Sequence, residues 1–103
     1  LVACNQHKAP KGIIENKKMI DVLTDMHLVD AYISIIPYND SVLKQQSSQY
    51  YGAIYKKYKI SRSEFDKSLK YYSEEPQVLD SMYSQVLINL AKREKTQNKL
   101  LIK

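Results

Sequence analysis

Tryptophan is absent and cysteine occurs once, so no disulfide can close within the chain and no paired-cysteine metal site is available. Two glycines and three prolines are too few for a turn-rich β-sandwich or a Pro/Gly-rich linker. No Gly-rich phosphate loop, zinc spacing or dinucleotide fingerprint occurs. No apolar run approaches the roughly 20 residues that a helix needs to span a bilayer. What remains is 103 residues, 44% of them hydrophobic, with room for one domain and one modest core. Tyrosine supplies nine aromatics and phenylalanine one, and tyrosine suits half-buried positions and partner surfaces because its apolar face carries a polar tip. The net charge of +5 comes from scattered lysines, among them Lys17-Lys18, Lys56-Lys57 and Lys92, and not from a dense block. Such a balance describes a solvated surface with a general attraction to acidic partners or anionic lipid.

The lone cysteine has an informative position. Leu1-Val2-Ala3-Cys4 has the order of a bacterial lipobox: a branched apolar residue, two small or apolar ones, then cysteine. On this expectation residues 1–3 end a signal peptide and Cys4 begins the mature protein, with diacylglycerol on its sulfur and an acylated amine. Several acyl chains anchor stably, since each buried CH₂ contributes about 0.8 kcal/mol. Residues 4–12 would be the lipidated cysteine and a polar tether, which at full extension reaches roughly 35 Å at most. The lipid bilayer is therefore the first partner expected.

The remainder predicts an all-α fold, a small bundle of about four helices. Met19, Val22, Met26, Val29, Ile33 and Ile36 recur every three or four residues, one face of a helix from Lys18 to Ile36. Ile20, Leu23, Ala31 and Ile35 widen that stripe, which marks a central helix touched by several neighbours. Pro37 ends it, and a second helix runs from Ser41 to Lys57 or Tyr58. Ser61 with Glu64 three residues on is a capping box, and Ile60 with Phe65 is placed as its hydrophobic staple. The third helix then carries Leu69 and Tyr72 and stops near Ser73. Pro76 opens a fourth, with Met82, Tyr83, Val86, Leu87 and Leu90, fraying through Lys92 to Lys99. The helical domain is thus expected over 13–95, with 96–103 as a frayed tail ending in Leu100-Leu101-Ile102.

Catalytic constellations are not evident. His7 lies in the tether, where nothing holds it in a reactive geometry. His27 is flanked by Leu23 and Ala31, which predicts a half-buried packing residue, with Asp30 placed three residues later to hydrogen-bond to it. Asp21 and Asp25 share a face, which predicts a solvated pair near Lys17 or Lys18; a helical metal site would need acids and histidines from several helices. Hence no enzyme activity, no cofactor and no metal are expected. Tyrosines mixed with lysines would also suit single-stranded nucleic acid. A lipid-anchored protein rarely meets it, so nucleic acid is not an expected partner. One tyrosine of each adjacent pair is expected in the core and the other at the surface. Asp25, His27, Asp30, Tyr38 and Tyr71 are the candidates for touching a partner protein.

Met19 through Tyr32, with Asp25-Met26-His27-Leu28 at its centre, resembles the signature of a family of small helical lipoproteins from Bacteroidota known as a domain of unknown function. Ile60-Ser61 through Asp66, Ser68-Leu69-Lys70-Tyr71-Tyr72, Pro76 and the Leu79 to Leu87 stretch are similar too. The resemblance covers about Ile13 to Leu90. It implies a helical lipoprotein of the cell envelope, mostly of the outer membrane, and brings no activity with it. Surface-exported relatives carry acidic residues just after the cysteine; Asn5-Gln6-His7-Lys8 has none, which implies the periplasmic face. The function expected is a non-enzymatic interaction module docking on an unidentified envelope protein. The alternative is a small-ligand or metal-binding protein with a pocket around His27.

Overall fold

Each helix starts or stops where backbone hydrogen-bonding groups find a local partner. A computed structural model describes the backbone of residues 9–35 and 40–102, and the side chains among them except those of 40–44, 46 and 96–102. The order is α1 (Asn16–Ser34), α2 (Asp40–Tyr58), α3 (Arg62–Ser73) and α4 (Pro76–Ile102), an all-α bundle. Helix α1 begins two residues before the expected start. Pro37, the predicted stop signal, and Tyr38 lie outside the described residues, as do Cys4 and His7.

The corner between α2 and α3 is the best-determined piece of local chemistry. Lys59 takes the left-handed conformation at φ 56°. Its N–H bonds to the Lys56 carbonyl at 3.2 Å and the Ile60 N–H to the Tyr55 carbonyl at 2.9 Å, which is a Schellman closure. Two residues on, the Ser61 hydroxyl accepts from the Glu64 N–H at 3.0 Å, and Glu64 Oε1 accepts from the Ser61 N–H at 3.1 Å. The capping box is as predicted. Ile60 between the two motifs is buried, and the Tyr55 and Phe65 rings meet beside it at 6.0 Å. At the far end of α3, Pro76 opens α4 as expected. The helical backbone then continues to Ile102, through the segment predicted to fray.

Helix α1 packs closely on α2 and on α4, and α3 packs on α4. Five consecutive residues of α1, Val22 through Met26, are buried, so this part of the helix is covered on every side. The central position predicted from its broad apolar stripe is realised there. The core gathers Met19, Val22, Leu23 and Met26 of α1 with Ile54, Ile60, Tyr72, Met82 and Val86. The second half of the stripe is not covered to the same extent: Val29 and Ile33 are only half-buried and Ile35 is exposed.

The segment before α1 is built into the domain. The Ile14 N–H donates to Ser68 Oγ at 2.8 Å, and the Tyr72 hydroxyl donates to the Ile14 carbonyl at 2.7 Å. Ser68 and Tyr72 stand one turn apart on α3, so one helix face satisfies both polar groups of a buried backbone residue. Ile14 itself is buried.

Candidate functional site

Helix α1 carries an acid within its fully covered stretch, and that position decides the local chemistry. Asp25 is only 8% exposed. Burying a carboxylate is costly unless it is paired and hydrogen-bonded. Here Lys57 Nζ and the Tyr58 hydroxyl, both of α2, each donate to Asp25 Oδ2 at 2.8 Å. A guanidinium nitrogen of Arg93, on α4, donates to Oδ1 at 2.8 Å. One carboxylate thus ties three helices together. Burial pushes its pKa up, but the hydrogen bonds from Lys57, Arg93 and Tyr58 together outweigh it and hold Asp25 below the usual carboxylate value. The hydrogen bond to Asp25 raises the Lys57 pKa, and burial followed by the same carboxylate raises that of Tyr58.

This corrects the expectation of a solvated Asp21–Asp25 face near Lys17 or Lys18. Asp25 is an internal anchor and not an exposed contact. The spacing of Asp21 and Asp25 carries no sign of this, and the one trace in the sequence is that two cations stand in register with core positions of other helices. Arg93 continues the Met82–Val86–Asn89 face of α4, and Lys57 follows buried Ile54 by three residues. Next to the ion cluster, Asn89 donates to Thr24 Oγ1 at 3.3 Å, and Gln85 donates to Asn89 at 3.0 Å. Thr24 in turn donates to the Ile20 carbonyl, so a polar seam runs along the α1–α4 junction.

Two concave surfaces flank α1. On one side an open groove of about 700 Å³ lies between α1, α2 and α3 with Tyr83 of α4 at its wall, lined by Leu23, Met26, His27, Tyr55, Phe65 and Leu69 among others. His27 is exposed and not half-buried; its ring meets Tyr83 edge-on at 5.7 Å. Asp30 accepts a hydrogen bond from the Tyr51 hydroxyl across the α1–α2 junction. That bond, with burial, lifts the Tyr51 pKa from 10.0 to about 12. The groove therefore brings His27 and Asp30 together, while Asp25 faces the opposite side.

On that opposite side a shallower depression of about 330 Å³ lies against the ion cluster, with Leu28, Val29, Ala53 and Ile54 in its lining and Lys57 and Arg93 beside Asp25. Above it the α1 residues Leu28, Tyr32 and Ile35, spaced four and three apart, are 38%, 51% and 76% exposed. Tyr32 meets Tyr50 of α2 edge-on at 5.6 Å. Tyr71, at the other end of the domain, is half-buried against Tyr72, with ring centroids 5.1 Å apart. Of the adjacent tyrosine pairs, Tyr71-Tyr72 divides into an outer and a core residue, whereas Tyr50 and Tyr51 are both half-buried.

Among the described residues, no group of three His, Cys, Asp or Glu side chains is placed to hold a metal ion. No described helix is long and apolar enough to cross a membrane. A family model described as a domain of unknown function (DUF4296) matches residues 10–96. No curated protein and no solved structure matches the chain.

Proposed function

We propose that this chain, which belongs to the DUF4296 family, is a non-enzymatic interaction module of the bacterial cell envelope, tethered to the outer membrane through acylated Cys4. The observation that carries the interaction reading is the row Leu28, Tyr32 and Ile35 at the C-terminal end of α1, apolar and exposed just beyond the buried stretch Val22 to Met26. Large apolar side chains in one contiguous row are costly to leave in water, and such patches mark docking sites. Asp25 and Asp30 of the same helix are already engaged within the domain, Asp25 by Lys57, Tyr58 and Arg93 and Asp30 by Tyr51. The lipobox order Leu1-Val2-Ala3-Cys4 supports the tether, and the lack of acidic residues in Asn5-Gln6-His7-Lys8 supports the periplasmic face.

Crosslinking in native membranes followed by affinity purification tests the reading, with Tyr32→Asp and Cys4→Ser as comparisons. A partner recovered with the wild type and lost with Tyr32→Asp is the expected result. Loss with Cys4→Ser as well places the encounter at the membrane. Recovery of the chain alone in every case sinks the proposal. For location, proteinase added to intact cells should leave the domain uncut until the outer membrane is permeabilised.

A second reading rests on the groove beside His27, whose volume falls in the range of about 300–1,000 Å³ that small-molecule sites occupy. In that case the groove takes a small apolar ligand, and Gly52→Trp, which puts a large ring into its lining, abolishes ligand-induced thermal stabilisation. If a metabolite screen raises the melting temperature of neither protein, this second reading fails.

A further inference from the structure

The depression against the Asp25 cluster has the chemistry of a site for an acidic, apolar peptide. Lys57 and Arg93 each commit one N–H to Asp25, yet an ammonium has three donors and a guanidinium five. Their side chains are 60% and 44% exposed, so donors remain turned toward solvent. Two cations around one carboxylate leave one positive charge uncompensated. Among the described residues of the lining Asp25 is the one carboxylate, and both of its oxygens are occupied. The same carboxylate fixes the two cations from different helices side by side, so little side-chain entropy remains to be lost when an anion arrives. Immediately beside them lie Leu28, Val29, Ala53 and Ile54, and the exposed row Tyr32 and Ile35 continues the apolar surface.

We infer that this face takes a segment of a partner protein in which a carboxylate, Asp or Glu, stands next to a large apolar side chain. The apolar side chain occupies the depression, and the carboxylate accepts from Lys57 and Arg93. The inference rests on the interaction-module reading and gives its partner a chemistry. A volume of about 330 Å³ admits one or two side chains. The concavity and the pinned cations favour a peptide over an anionic bilayer, which is met by splayed, mobile lysines on a flat or convex surface.

The test uses the full chain, immobilised, with a random peptide library as the probe. Enriched peptides are expected to pair Asp or Glu with Leu, Ile or Phe and to be poor in Lys and Arg. Binding of a selected peptide should fall about tenfold or more with Ala53→Trp, which fills the depression from an exposed position. It should also fall when the peptide's Glu is replaced by Gln, and rising salt should weaken it. Lys57→Gln is the second variant; Asp25 keeps Arg93 and Tyr58 there, and a melting curve checks its fold. Neutral or basic enriched peptides, or equal binding to Ala53→Trp, overturn the inference. So does a preference for phosphatidylglycerol vesicles that Lys57→Gln abolishes while no peptide is enriched. In the membrane crosslinking experiment, a partner captured equally by wild type and Ala53→Trp leaves the interaction module standing and removes this face from it. Absence of any partner removes the module itself.

Discussion

Three donors converge on the two oxygens of Asp25, and they make its ionisation part of the stability of the domain. Its native pKa lies below the ordinary 3.8. A depressed carboxylate contributes stability that is fully present above the unfolded value and is lost as pH falls through the native one. Asp25→Asn should therefore cost about 1–3 kcal/mol near neutral pH, since an amide cannot accept from both cations. Urea unfolding at a series of pH values should find that difference constant down to about pH 5 and shrinking below about pH 4. A difference that grows on acidification would contradict the assignment. The role was not legible from spacing, because Asp21 and Asp25 look like an ordinary solvated pair on one helix. Only the arrival of Lys57 and Arg93 from α2 and α4 separates them. His27, expected to be half-buried, is exposed, and its ring neighbour Tyr83 is distant in the chain.

Element boundaries divide according to how local their chemistry is. The capping box at Ser61 and the proline at Pro76 were readable because every participant lies within four residues. The end of α2 was readable in position but not in geometry. Gly is the usual left-handed residue after a helix, and here Lys59 occupies that place at φ 56°. Lys59→Gly should raise stability by about 0.5–1 kcal/mol by relieving the Cβ clash, net of glycine's greater freedom when unfolded. A higher melting temperature with unchanged helix content checks it. The Ile14 clamp was invisible, since Ser68 and Tyr72 lie 54 and 58 residues further on. Ser68→Ala leaves the buried Ile14 N–H without its acceptor and should cost about 1–3 kcal/mol. Hydrogen exchange at the Ile14 amide should speed up well beyond that at core amides of α4.

At the scale of the whole molecule, the helices share one small core, and α1 runs through its middle. A domain of this size has about 5–15 kcal/mol of net stability. Met19 is completely buried, so Met19→Ala should cost about 2–5 kcal/mol and visibly lower the urea midpoint. Ile88→Ala, at a half-exposed position on α4, should change stability by about 0.5 kcal/mol or less. Equal losses at both sites would mean that the core is elsewhere. The helices, their order, the capping box at Ser61 and the central place of α1 followed from the sequence itself. Helical period, caps and prolines act within one or two turns and need no partner. The exposed row Leu28, Tyr32 and Ile35, the His27 groove and the Asp25 cluster were decided by tertiary structure alone. Periodicity says which residues are apolar, but which of them stay uncovered depends on where the neighbouring helices end and cross. The stripe of α1 is one pattern in the sequence; its first half became core, and its second half is only partly covered, with Val29 and Ile33 half-buried and Ile35 exposed.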